Sequence, residues 1–269
     1  MRVKIYRYLH DVTAPSRTGL AWFDLIEIGL VALGFLLYFL VRGAVVDQTD
    51  QALSNARWII DLQQSLGVFI ELDVNQWALE STFRVRLFNF VYFWLDFPLI
   101  LGVGLLLFWK NRSYYTLLRD GLLISGGFAL ILYWTLPVAP PRFIEGYGFV
   151  DTLKEYSDLA YQAQSTAAFV NPFAAVPSLH VGWALILAIV VWWATKHWLL
   201  RFAAITTMVL QTISVVATAN HYIFDAVIGV AVCLVALAIA LWLQRSGYPW
   251  VRDWLRVRLV DVPSEATPA

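Results

Sequence analysis

Residues 171–183 read NPFAAVPSLHVGW. A proline, a hydroxyl and an imidazole stand together at Pro177, Ser178 and His180, where a long apolar run begins. Pro177 suits the start of a helix, and the unpaired first-turn N–H groups of that helix, together with its dipole, attract anions. A histidine alone at such a place could simply snorkel toward lipid headgroups. Its significance depends on what the rest of the chain brings to it.

Composition sets the medium. The 269 residues are 60% hydrophobic and 16% aromatic, only 14% are charged, and the formal net charge is zero. That balance is foreign to a soluble domain and reads as a membrane protein. With no basic block or acidic tail, nothing points to nucleic acid as a partner. The single cysteine, Cys233, lies in an apolar run, can form no disulfide within one chain and suits packing.

A bilayer crossing takes about 20 mostly apolar helical residues. Six stretches meet that length: about 20–42, 87–109, 117–136, 179–196, 199–217 and 222–243. The first follows a polar segment and ends without a small-residue cleavage site, so it is expected to remain in the mature protein. The fold class expected is therefore an all-α, multi-pass integral membrane protein of the cell or an endomembrane. It would comprise an N-terminal segment 1–19, a six-span catalytic unit 20–244 and a tail 245–269.

Basic residues near span ends stay on the cytoplasmic side. An inside N-terminus puts thirteen lysines and arginines inside against six outside, which predicts both termini in the cytoplasm. This ordering leaves His10 and His197 inside and brings His180 and His221 to the outer ends of their spans, so the candidate site faces the extracytoplasmic side.

Two connections are more than turns. In residues 48–80, Leu53, Ala56, Ile59, Leu62, Leu66 and Phe69 recur at helical spacing. They predict an amphipathic helix that lies in the outer interface or packs on the bundle. The connection 137–178 opens with PVAPPRF, and its length suits a lid or binding loop.

Further on, NHYIFDAVIG, residues 220–229, places His221 and Asp225 one helical turn apart at the start of an apolar span. The carboxylate can accept the imidazole N–H and fix its tautomer. Ionisable groups there are costly and face a protein interior or a wet cavity; a structural bridge between helices is the alternative. Arg142 adds a planar bidentate phosphate donor on the same side. Two histidines, one backed by a carboxylate, with an arginine and a helix N-terminus are a parts list for phosphoryl transfer through a phosphohistidine. Two other readings stay open. Asp24, Asp96, Asp225 and the histidines could form the relay of a proton-coupled carrier, although no inverted repeat is evident. His180 and His221 could instead be axial ligands of a haem.

PPRF, PSLH and HYIFD, in that order over about residues 137–230, resemble the three motifs of the type 2 phosphatidic acid phosphatase superfamily. The likeness is closest to its inositolphosphotransferase-like branch, which includes inositol phosphorylceramide synthases. The resemblance implies His221 as nucleophile, Asp225 as its orienting partner, His180 as general acid and then base, Arg142 and Ser178 as phosphate binders, and no metal or cofactor. Its substrate would be a lipid phosphate or phospholipid, with a polyol or lipid alcohol as acceptor. The alternative is a lipid phosphate phosphatase of the phosphatidic acid or polyprenyl phosphate type. Several positions depart from the phosphatase pattern. Thr135 stands where it has a lysine, Phe143 where proline follows the arginine, Leu179 where it has glycine, and Val215 where it has a second arginine. Two cations of the usual cradle are thus missing, and Arg84, Arg86 and Lys154 are the candidates to replace them. The Leu179 and Val215 variations are shared with the phosphotransferase-like branch and favour a phosphodiester donor and an alcohol acceptor.

Overall fold

The computed structural model describes residues 48–156 and 173–259, together with 25, 27–29, 31–34 and 36 of the first expected span, which are helical. Asp24, the N-terminal segment and the last ten residues lie outside the described residues, as do 157–172 of the long connection. Within lipid the backbone must satisfy its own polar groups, and these apolar stretches do so as helices. In chain order they are α1 (Thr49–Ser65), α2 (Glu71–Leu79), α3 (Thr82–Trp94), α4 (Phe97–Lys110), α5 (Arg112–Thr135), α6 (Thr152–Tyr156), α7 (Leu179–Ala194), α8 (Trp198–Ala217), α9 (Ile223–Trp242) and α10 (Tyr248–Leu259). A π turn, Leu243–Gly247, joins α9 to α10.

Among the described residues three helices are long and apolar enough to cross a bilayer, or four if α3 and α4 count as one span. Two of the six expected spans differ in form from a straight helix of about 20 residues. The span expected at 87–109 is broken: α3 and α4 meet at 43°. Pro98, at the second position of α4, has no N–H to give to the carbonyl of Trp94, and its ring clashes there. The span expected at 179–196 is the 16-residue α7, about 24 Å long against an apolar bilayer core of about 30 Å.

α7 occupies the middle of the bundle, packed against α5, α8 and α9. It buries Leu179, Val181, Trp183, Ile186, Leu187 and Val190, and Trp183 Nε1–H donates to Ser125 Oγ on α5 at 3.0 Å. Its approach to α9 is set by two glycines. A Cβ on Gly229 would lie 2.2 Å from the backbone oxygen of Ser178, and one on Gly182 would lie 2.3 Å from Cys233 Sγ. Small residues are what let two helices in lipid come this close.

The amphipathic helix expected at 48–80 is two helices, α1 and α2, broken where Gly67 takes φ +70. Its buried face is also rotated from the expected one. Ala52, Ala56, Ile59, Ile60 and Gln63 are buried, whereas Leu66 is exposed. The face is set by what it covers: α1 packs on Val138, Ala139, Ile144, Ala175, Val176 and Tyr222. Gln63 is inside because its amide donates to Glu71 Oε1, which also accepts the Ile223 N–H at 2.8 Å and so serves the N-terminus of α9 from a distant segment. Asn75 Nδ2 donates to the carbonyls of Ala217 at 2.8 Å and Val150 at 3.1 Å, and its Oδ1 accepts the Val150 N–H at 3.0 Å. At the opposite end of the bundle, Arg119 pairs with Glu27 and Asp120 and donates to Tyr248 at 3.1 Å, joining the first expected span, α5 and α10.

Gly229→Ala is expected to push α7 off α9 and lower stability by about 1–3 kcal/mol, because the opposing atom is backbone and cannot rotate away. Gly127→Ala, where nothing lies within 4 Å of a new Cβ, should be close to neutral. Glu71→Ala orphans the partly buried Ile223 N–H and should cost about 1–3 kcal/mol. Thermal unfolding of the three variants in one detergent checks all of these.

Candidate active site

α8 ends at Ala217, and the chain reverses within three residues to deliver His221. The N–H groups of Asn220 and His221 both reach the Val215 carbonyl, at 3.1 and 3.0 Å, and Ala219 adopts φ 54. A residue with a Cβ pays about 1–2 kcal/mol for that left-handed conformation. The first turn of α9 then fixes the histidine. Asp225 is fully buried; its Oδ2 accepts the Tyr222 N–H at 2.8 Å and lies 3.3 Å from His221 Nδ1. His221 Nδ1 is also 2.9 Å from the Ala175 carbonyl. A carbonyl only accepts, so Nδ1 carries the hydrogen and Nε2 carries the lone pair.

His180 lies in the first turn of α7, its ring centroid 5.6 Å from that of His221. Its Nε2 is 3.3 Å from Asp96 Oδ2, and Tyr92 of α3 stacks on its ring at 4.3 Å. Between the two imidazoles is a small cavity of about 10 Å³, room for about one water. Asp96, Phe97, Tyr133, Leu179, Trp183 and both histidines line it.

Ser178 precedes α7, and its N–H donates to the backbone carbonyl of Asp225 at 3.0 Å, tying the two histidine-bearing turns together. Its Oγ is buried and has no hydrogen-bond partner among the described residues. Arg142 approaches from the connection after α5. Its N–H donates to the Ala219 carbonyl at 3.1 Å, while its guanidinium donates to Asn220 Oδ1 and lies 3.3 Å from Asp151 Oδ2. The loop that carries it is closed by a parallel bridge between Val138 and Ala174.

The five residues expected from the sequence thus lie at one end of the bundle, but not equally close. His180, His221 and Asp225 are in direct succession, Ser178 joins them through the backbone, and Arg142 stands at the margin, outside the lining of the cavity. The replacement cations expected near it do not line the cavity either. Arg84 pairs with Glu80 at 3.1 Å and lies over Trp77, and Arg86 and Lys154 are exposed. Thr135 donates to the Ile131 carbonyl of its own helix, and Val215 is packed among Val181, Val216 and Ala226. From the sequence, Asp151, Asn220, Tyr92 and Glu71 carry no expected role, and Asp96 figures only in the proton-relay alternative. For Asp96 a signal was present: an acid directly before Phe-Pro inside an apolar run marks a helix break with a charge at it.

A phosphoinositol dihydroceramide synthase of Bacteroides thetaiotaomicron is 25% identical over 175 residues, an alignment that covers 60% of this chain and 55% of that protein. The chain therefore spans about half the length of that relative. No solved structure matches. The model of the PAP2 superfamily matches residues 57–239, from α1 to the last turn of α9, and takes in the histidine pair, Asp225, Ser178 and Arg142. The chain belongs to the PAP2 superfamily.

Proposed function

We propose that this protein is a membrane enzyme that moves a phosphoryl-linked group from a phospholipid to an alcohol through a phosphohistidine on His221. The observation that carries this reading is the fixed His221 tautomer: Nδ1–H is committed to Ala175 and Asp225, and the lone pair is left on Nε2. Nε2 attacks phosphorus, forming an N–P bond as the P–O bond to the departing alcohol breaks, and His180 gives that oxygen its proton. An acceptor hydroxyl then returns a proton to His180 as its oxygen displaces His221. Ser178 Oγ–H and the guanidinium of Arg142 serve the phosphoryl oxygens. In this reading no metal takes part, the chain crosses the bilayer six times, and the site opens on the extracytoplasmic face.

The charge around the site favours a diester donor over a monoester. A phosphate monoester carries close to two negative charges at neutral pH, whereas a diester carries one. Arg142 is already partly balanced by Asp151, and Thr135 and Val215 stand where the superfamily's phosphatases have cations. The name of the Bacteroides relative fits a phosphoinositol donor and a ceramide-like acceptor. The second reading, hydrolysis of a lipid phosphate, needs only water in place of that acceptor. A carrier accounts less well for two histidines and a phosphate-binding set gathered at one end.

Turnover of a radiolabelled phospholipid panel in proteoliposomes, with and without dihydroceramide or inositol, distinguishes these readings. His221→Asn is expected to lose turnover by at least about 10³-fold and to take up no acid-labile label. Label partitioning to an added alcohol supports transfer, release of free phosphate whatever the acceptor makes the protein a phosphatase, and full turnover by His221→Asn would falsify the phosphohistidine scheme. Ser178→Ala should lower kcat/KM by about 10–100-fold without loss of thermal stability, since Ser178 Oγ bonds nothing else among the described residues.

A further inference from the structure

Asp96 is almost completely buried and stands at the break between α3 and α4. It occupies the position before the first residue of α4, where an aspartate ordinarily accepts a first-turn N–H, yet its side chain makes no capping bond. Instead Oδ2 lies 3.3 Å from His180 Nε2. Tyr92, one turn earlier, stacks on the same ring with planes 25° apart. The kink forced by Pro98 thus leads the chain away from α3 at the point where a carboxylate can reach α7. The titratable groups around the pair are His221 from the α9 side, Tyr92 from α3 and Tyr133 from α5, with Trp183 and Phe97 completing the wall.

We infer that Asp96 is the positioning residue of His180, doing for the acid–base imidazole what Asp225 does for the nucleophilic one; this rests on the reading of His180 as the acid–base group. With Nε2–H held on Asp96 in both protonation states, His180 Nδ1 alone carries the proton in transit. In the first half-reaction the Nδ1 proton passes to the leaving oxygen as P–O breaks and the His221 Nε2–P bond forms. In the second, Nδ1 takes the proton of the acceptor hydroxyl as the new O–P bond forms and N–P breaks. Asp96 itself exchanges no proton and touches no substrate. The site is then two carboxylate–imidazole pairs facing each other, one for nucleophilic attack and one for proton transfer.

The test exploits the leaving group. The diacylglycerol of phosphatidylinositol departs as an alkoxide and needs the proton, whereas the 4-nitrophenolate of an analogue that carries it in place of diacylglycerol does not. The single-turnover burst, which reports P–O cleavage alone, is measured for both donors with the full-length protein in proteoliposomes. Asp96→Asn is expected to slow the burst with phosphatidylinositol by about 10²-fold and with the aryl donor by less than about fivefold. Asp96→Glu keeps a carboxylate and should recover most of the lipid rate; it also serves if the Asn variant does not fold. Equal slowing of both donors by every Asp96 variant, or no slowing of either, overturns the inference. His180→Ala run alongside separates the two claims. If it shows the selective loss and Asp96→Asn does not, Asp96 alone is misassigned; if it slows both donors alike, the acid–base reading of His180 fails and the inference with it.

Discussion

The contact between the start of α7 and the first turns of α9 is the constraint on which the remainder rests. Ser178 lays its carbonyl against the bare Cα of Gly229 and gives its N–H to the Asp225 carbonyl. Because Ser178 and His180 share one turn, and Asp225 and His221 lie one turn apart on the other side, this seat sets the separation of the two imidazoles. A single methyl group at Gly229 would change it. The geometry of the site is therefore held by backbone contact, which deforms far less readily than side-chain packing.

Polar groups withdrawn from water hold the end of the bundle that bears the site. In a low-dielectric setting an unpartnered donor or acceptor is expensive, and several buried amides and carboxylates are matched to segments far away in sequence. Glu71 serves the α9 N-terminus, Asn75 joins α2 to the C-terminal end of α8 and to the loop after Arg142, and Asn89 exchanges two hydrogen bonds with Thr152. Through these bonds α2 and α3 fix the loop that carries Asp151. Ser178 Oγ, two residues before His180, is among the buried polar atoms that have no hydrogen-bond partner among the described residues.

The two histidines differ in support. His221, just before α9, is held by Asp225 in the first turn of that helix and by the Ala175 carbonyl from the loop before α7. His180 depends on Asp96 and Tyr92, both from the broken α3–α4 pair, so its orientation depends on how that pair packs. In the proposed scheme the lone pair of the nucleophile is thus fixed by its own turn and the loop before α7, and the acid–base imidazole by the α3–α4 break.

Much of this was legible in the chain. Apolar runs near 20 residues dictated helices in a bilayer, because a single continuous apolar segment satisfies its own backbone in lipid only as a helix. PPRF, PSLH and HYIFD identified the family, and the four-residue interval from His221 to Asp225 foretold their pairing, since helical pitch is local. Other features required the tertiary structure. Leu66 looked like part of a buried stripe and is exposed, because the face of α1 is chosen by the loop cluster it covers. The kink at Pro98 could be expected from local sterics, but the carboxylate's reach to His180, 84 residues away, could not. Arg142 is likewise committed to Asn220 and Asp151 by loop closure across the bundle. Periodicity and short motifs fix what each segment is, by interactions within a turn or two; which segments meet depends on long-range packing that no local interval encodes.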